Sequence, residues 1–357
     1  MARRLAGFLA LWLGLALPAL AAPPVYPAVT PGAALSFPAD HGAHPGYRTE
    51  WWYLTGWLET ADGAPLGFQV TFFRSRPPVD QANPSAFAAR QVLFAHAALS
   101  DPAAGKLLHD QRIARAGFGL AESRVGDADI VLDDWRLVRG ADGRFHAKAG
   151  GRAFTLDLVF TPRQPILLQG QAGYSRKGPD PAQASYYYSL PQLEVSGTVA
   201  RAGKSRKVSG RAWLDREWSS SLLDPRAVGW DWTGLNLDDG GAVMAFQVRD
   251  KAGRALWAGG TFRSADGQVH RLGPQDVRFA PRRRWRSPRT GAVYPVDPVL
   301  ALSLPGGERR WRLTPLFDDQ ELDSRRGGGP VYWEGAVKVE GGRGYLELTG
   351  YAAPLSL

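Results

Sequence analysis

Acids and tryptophans alternate with partners of opposite character in the run Trp213-Leu214-Asp215-Arg216-Glu217-Trp218. In an extended strand successive side chains point to opposite faces, so Trp213, Asp215 and Glu217 share one face and Arg216 and Trp218 the other. An earlier run has the same pattern, with Glu50 and Trp52 on one face and Trp51 and Tyr53 on the opposite one. Tyr187, Tyr188, Trp230, Asp231 and Trp232 add further aromatic and acidic groups. A carboxyl group in apolar surroundings keeps its proton to higher pH and can serve as a general acid. Aromatic faces attract a developing cation. Together these groups suit general acid catalysis with stabilisation of a developing positive charge. Asp215, Glu217 and Glu50 are the candidate acids. The competing role for all three is ion pairing with Arg48, Arg211 or Arg216 to close a barrel end, and for the tryptophans it is core packing.

Other chemistries find less material. The chain has no cysteine, which excludes disulfides, thiolate metal sites, a cysteine nucleophile and a lipidated cysteine. Of six histidines, His41 and His44 lie in a Gly/Pro loop, where His44 is a candidate proton shuttle at a barrel mouth. His96 sits in an apolar strand, either as a satisfied core residue or as a ligand contact. No metal site is expected. Ser219-Ser220-Ser221 reads as a turn, and no G-x-S-x-G elbow is present. Phosphate-cradling glycine loops are absent too, so no organic cofactor is expected.

The elements that must position these groups are strands. Runs such as Val92–Leu99, Phe154–Phe160 and Tyr345–Thr349 are short, apolar or alternating, and bounded by Gly, Pro or Asp. Gly 42 and Pro 27 in 357 residues are spread without a collagen period, as many short strands and turns require. Only Asp80 to Phe94 has the composition for a helix of any length. The chain also repeats itself: Trp52-Tyr53-Leu54-Thr55-Gly56 matches Trp230-Asp231-Trp232-Thr233-Gly234 at an offset of 178, and the same offset lays Phe68-Gln69-Val70 on Phe246-Gln247-Val248. Gly197-Thr198-Val199 and Val208-Ser209-Gly210 similarly match Gly335-Ala336-Val337 and Leu348-Thr349-Gly350. A period this long means duplicated domains rather than a solenoid. The division is expected at residue 212: an N-terminal domain over 23–212 and a C-terminal one over 213–357. Each must close or cover its sheet edges as a barrel or a sandwich.

Arg3 and Arg4, an uncharged run from Leu5 to Leu17, Pro18 and the small residues to Ala22 have the form of a cleaved secretory signal peptide over 1–22. The expected location is the periplasm or the exterior. Formal net charge is +9 from 43 basic and 34 acidic residues, and +7 without the two leader arginines. The densest basic cluster, Arg282-Arg283-Arg284 with Arg286, lies between prolines and reads as a solvated loop. Nucleic acid is not an expected partner of an exported chain whose basic residues are otherwise scattered.

The run Asp40-His41-Gly42-Ala43-His44-Pro45-Gly46-Tyr47-Arg48-Thr49-Glu50-Trp51-Trp52-Tyr53, with Gly67 to Arg74, resembles the start of the lipocalin-like family that includes carotenoid 1,2-hydratase and the AttH-like exported proteins. Phe94-Ala95-His96, Ser185 to Ser189, Trp213 to Trp218 and Tyr332 to Val337 extend the resemblance over nearly the whole chain after the leader. It implies an all-β protein of two tandem lipocalin-like (calycin) antiparallel barrels. It also implies cofactor-free acid–base chemistry, because carotenoid hydratase adds water to a terminal double bond without metal or organic cofactor. Where the hydratase pattern has Asp-His-Asn, this chain has Asp215-Arg216-Glu217, which sets it nearer the AttH-like branch. The resulting expectation is an exported, monomeric protein that holds an apolar isoprenoid or lipid ligand between or within its barrels and acts on it as a hydro-lyase or hydrolase. The alternative is a non-catalytic lipid carrier or envelope-assembly protein, with an inner-membrane export or transporter partner. The expected ligand contacts are His44, Trp51, Trp52, Tyr53, His96, Tyr187, Tyr188, Trp213, Arg216, Trp218, Trp230, Asp231 and Trp232.

Overall fold

A computed structural model describes residues 24–355; the expected signal peptide falls outside them. Among the described residues there is no α-helix, only β-strands and three single-turn 3-10 segments. Residues 80–91, the one stretch with helical composition, form turns. The side chains of Asp80, Asn83 and Ser85 each accept a bond from a backbone N–H two residues on, which satisfies the backbone locally and competes with a helix.

β1 (Thr49–Thr60), β2 (Pro65–Ser75), β3 (Val92–Ser100) and β4 (Leu108–Arg115) form an antiparallel meander. A second meander follows: β5 (Ala121–Ser123), β6 (Asp129–Leu132), β7 (Trp135–Arg139), β8 (Phe145–Gly150) and β9 (Phe154–Thr161). Short β10 (Leu167–Leu168) and β11 (Tyr174–Arg176) flank the long strand β12 (Ala184–Arg201). β12 and β13 (Lys204–Ser221) splice the meanders into one sheet, in the order β4-β3-β2-β1-β13-β12-β9-β8-β7-β6-β5. The sheet curls around a filled core that includes Trp52, Leu54, Leu58, Phe68, Phe72 and Trp135.

The second half begins with β14 (Ala227–Leu237), β15 (Ala242–Asp250), β16 (Ala255–Arg263) and β17 (Val269–Leu272). A separate sheet of β18 (Val277–Arg286), β19 (Val293–Leu304) and β20 (Gly307–Arg312) packs over them. The chain then returns through β21 (Thr314–Pro315) and β22 (Glu321–Asp323) to β23 (Val331–Val339) and β24 (Gly342–Leu348). The main sheet runs β17-β16-β15-β14-β24-β23-β21. Its core includes Leu235, Val243, Tyr294, Leu300, Trp311 and Trp333.

The path β3-β2-β1-β13-β12 in one half is repeated as β16-β15-β14-β24-β23 in the other, so the architecture is duplicated and antiparallel barrel-like throughout. The register corrects the gapless sequence match. The first hairpin closes Thr60 N–H onto the Ala64 carbonyl, and the second closes Leu237 onto Gly241, an offset of 177. Leu58 then corresponds to Leu235, and both face their own cores. At an offset of 178 Trp52 would correspond to Trp230, but the former faces the first core and the latter does not. One residue of slip exchanges the two faces of a strand. Residue 212, the expected division, lies inside β13, whose pairing with β1 and β12 runs on to Ser219 and Ser221. The change of sheet falls between Ser221 and Ala227, so the Trp213–Trp218 motif belongs to the first sheet. The arginine cluster is strand as well, in β18.

The outer faces of the two sheets pack against each other through a third apolar cluster containing Tyr53, Trp57, Tyr187, Trp213, Trp232 and Tyr345. Gly67 on β2 permits this approach, because a Cβ there would lie 2.7 Å from both Ala336 Cβ and Tyr345 Oη. Gly67→Val should therefore destabilise the protein by about 1–3 kcal/mol through overpacking, read as a lower urea midpoint. Substitution at Gly63, whose surroundings are open, should lack the clash term.

Candidate functional site

Strand alternation delivers the motif residues to two different places. The even-numbered group Glu50, Trp52, Arg216 and Trp218 points into the end of the first half. There Glu50, with 0% exposure, accepts hydrogen bonds from Arg74 Nε and Arg216 Nη2 and from the His44 backbone N–H at 3.0 Å. The Arg216 guanidinium lies 3.9 Å from the Trp52 ring centroid and also donates to the Gly42 carbonyl at 2.5 Å. Trp218 stacks on His44 at 3.9 Å, and Tyr188 bonds His41 Nδ1 at 2.6 Å. Burial alone would raise the Glu50 pKa, but the two guanidinium groups and His44 hold it well below the usual carboxylate range. Glu50 is thus an ionised pin between two arginines. Of the expected partners it pairs with Arg216, and Arg74, which was not among them, is the second.

The odd-numbered group points outward, into the contact between the halves. One row across the first sheet reads Tyr53–Asp215–Ser189 and the next Trp51–Glu217–Tyr187. Facing them across the second sheet is the row Phe246–Trp232–Glu347–Glu334. Asp215 accepts hydrogen bonds from Tyr187 Oη at 2.6 Å, Trp213 Nε1 at 2.6 Å and Ser189 Oγ at 2.5 Å. Burial nevertheless outweighs these donors and pushes its pKa up to about 7. Glu217 accepts from Ser185 and lies 3.1 Å from Lys177 Nζ. That ammonium also sits 4.4 Å from the centroids of the Tyr187 and Phe246 rings.

Glu334 and Glu347 are the residues that sequence reasoning missed. Tyr53 Oη donates to Glu334 Oε1 at 2.5 Å across the contact, while Glu334 Oε2 is buried with no partner. Burial, reinforced by Glu347, raises the Glu334 pKa well above the usual value. Glu347 accepts from Trp230 Nε1 at 2.8 Å, and burial lifts it to about 7. Trp232 Nε1 donates to Tyr187 Oη at 3.1 Å, and its ring meets Tyr53 edge-on at 5.1 Å. Tyr53, Tyr187, Trp213, Trp232, Asp215, Glu217, Glu334 and Glu347 therefore form one cluster with a single lysine. Trp51, Trp230 and Trp257 are half-buried at its rim. On another side a groove of about 270 Å³, lined by Trp57, Trp213 and Tyr345 among others, runs between the halves.

Two candidates stand apart. His96 donates or accepts at Tyr332 Oη, 2.8 Å away, on the edge of the contact, and burial depresses its pKa to about 3. Asp231 sits between Trp230 and Trp232 in sequence but faces away from them, held by Arg249 Nε at 2.9 Å, Gln247 Nε2 at 2.7 Å and Tyr351 Oη at 2.9 Å. Among the described residues no group of three or more His, Asp or Glu side chains is arranged to hold a metal ion.

Two predictions follow from these charges. Glu50→Gln leaves two guanidinium groups without their shared counter-ion and should cost about 3–5 kcal/mol in chemical denaturation. Burial raises the pKa of Asp215 and Glu347 to about 7 and that of Glu334 well above the usual value, so each favours its proton more when folded than when unfolded; their contribution to stability is complete below about pH 4 and is lost as pH rises through the folded values, about 7 for Asp215 and Glu347. The melting temperature should fall from pH 5 to pH 8, and Asp215→Asn should remove part of that fall.

The profile of the AttH-like family matches residues 28–351. A crystal structure of an AttH candidate from Nitrosomonas europaea is 55% identical, with TM-score 0.84 over 91% of this chain and 99% of that one. Kievitone hydratase from Nectria haematococca shares the fold at 16% identity, with TM-score 0.66 over 93% of this chain and 98% of that one. CghA does so at 13% identity and TM-score 0.51, over 95% and 97%. No curated protein matches the chain.

Proposed function

Because the chain belongs to the AttH-like family and has the lipocalin-like, hydratase-type fold, we propose that it is a cofactor-independent hydratase acting on an apolar, alkene-bearing isoprenoid or lipid at the contact between its halves. The observation that carries this reading is the pair of buried carboxyl groups with opposite hydrogen-bonding character. Burial raises the Glu334 pKa well above the usual value, and one of its oxygens has no hydrogen-bond partner, an arrangement that suits a proton donor. Asp215 is surrounded by three donors, which suits a proton acceptor.

In the forward direction Glu334 gives its proton to one alkene carbon. The positive charge that forms on the other carbon is stabilised by the faces of Trp213, Trp232 and Tyr53. Water attacks that carbon and Asp215 takes the proton released, so the product is the alcohol. Proton exchange with solvent returns Glu334 to its acid form and Asp215 to its carboxylate. Lys177 fixes Glu217 beside the site, and the dry aromatic surroundings strengthen each electrostatic contact. Entry is through the Trp57–Trp213–Tyr345 groove, whose Trp213 also holds Asp215. The N-terminal leader motif supports export to the periplasm, and the ligand chemistry supports delivery by a membrane-associated partner to a monomeric protein.

The test is incubation with extracted membrane lipids and mass spectrometry of bound and released molecules. A hydrated product is expected, reduced at least 100-fold by Glu334→Gln and by Asp215→Asn, with a rate that declines on the alkaline side as the acid loses its proton. Recovery of only unchanged lipid would make the protein a carrier. Unaltered turnover in both variants would remove the acid–base assignment.

A further inference from the structure

The corresponding ends of the two halves are finished differently. In the first half, the end away from the β1–β2 turn is sealed by Glu50, Arg74 and Arg216 beneath the segment 39–47, with Trp52 and Trp218 filling the space. In the second half the same end keeps an acid on the first strand and an arginine on the second, Asp231 and Arg249, 2.9 Å apart. Beyond that pair lies a cavity of about 530 Å³. Its size is within the range of small-molecule sites and equals roughly eighteen water-sized volumes.

The chemistry of the lining is graded. Val228, Phe279, Pro281 and Pro298 supply apolar walls, and Lys251 and Arg284 stand at the mouth. The inner polar groups are already spent on one another: Arg249, Gln247 and Tyr351 all donate to Asp231, and Arg249 also donates to the Thr349 carbonyl. Asp250, the other acid in the lining, is held by Arg254 at 2.9 Å. Lys251 and Arg284 have no ion-pair partner among the described residues. Exposed Arg282 and Arg286 on the same strand as Arg284 add to the positive field around the opening.

We propose that this cavity is a second ligand site, separate from the acid cluster, for a single-chain amphiphile with an anionic headgroup. The chain lies inward along Phe279 and the prolines, and the headgroup meets Lys251 and Arg284 at the mouth. Asp231 and Arg249 act as a neutral, mutually satisfied floor. Headgroup discrimination then depends on the two rim cations, and chain discrimination on the depth of the cavity.

Titration calorimetry with dodecanoate and dodecyl phosphate, with dodecanol and dodecyltrimethylammonium as controls, tests the site on the intact protein. One or both anions should bind, the alcohol at least tenfold more weakly and the cation not at all. Binding of dodecanoate alone assigns a fatty-acid type of ligand, and of dodecyl phosphate alone a phospholipid type. Arg284→Glu, at an exposed position, should weaken the anion at least tenfold without changing the melting temperature. Ala255→Trp, which fills the mouth from β16, should abolish binding. Equal affinity for all four probes, indifference to Arg284→Glu, undiminished binding in Ala255→Trp, or no binding of either anion at millimolar concentration would each overturn the proposal. None of these readouts depends on turnover at Glu334 and Asp215.

Discussion

Keeping carboxyl groups away from water is the costly act around which this protein is arranged. Ionised, a buried acid loses its hydration and must be compensated by cations or donors; neutral, it needs only a hydrogen bond or two. The chain uses both solutions. Glu50 is ionised and compensated by Arg74 and Arg216. Burial shifts Glu334 toward its neutral form, with Tyr53 on one oxygen and nothing on the other. The first solution ties β1, β2 and β13 together, and the second places an acid in the contact between the halves.

Strand geometry separates the two solutions. Along β13, Arg216 turns to the first core while Asp215 and Glu217 turn to the contact between the halves. One strand therefore carries an ion pair on one side and buried, hydrogen-bonded carboxyl groups on the other, separated by its own backbone. The first core is packed with side chains, so the acid cluster sits on the outside of a filled barrel, in a space that exists because a second sheet covers it. Tryptophans serve both environments: Trp52 packs beneath a guanidinium in the core, whereas Trp213 and Trp232 hold Asp215 and Tyr187 by their indole N–H groups.

The all-β class, the duplication and the split of Trp213–Trp218 and Glu50–Tyr53 into opposite faces were legible in the sequence, because each rests on local alternation or self-similarity. Which of two faces meets the core is a tertiary fact, and alternation is silent on it. Glu334 and Glu347 escaped for that reason: a single acid on an antiparallel strand with one apolar face reads as part of a solvated outer face, and here that face is covered by another sheet. The nearest signal was Tyr332-Trp333-Glu334 within the family resemblance. The repeat offset failed in an instructive way. Composition aligned Trp52 with Trp230, while hairpin closure aligned the halves one residue earlier, so similar residues ended on opposite faces.

The hydrogen bond from Tyr53 to Glu334 joins residues 281 positions apart in the chain. A ribosome has nearly finished its work before the second of them exists, and no fragment ending before β23 contains Glu334 at all. The contact between the halves is accordingly a property of the finished molecule: a polypeptide that stops between residues 215 and 300 holds Asp215 but has no Glu334 to face it.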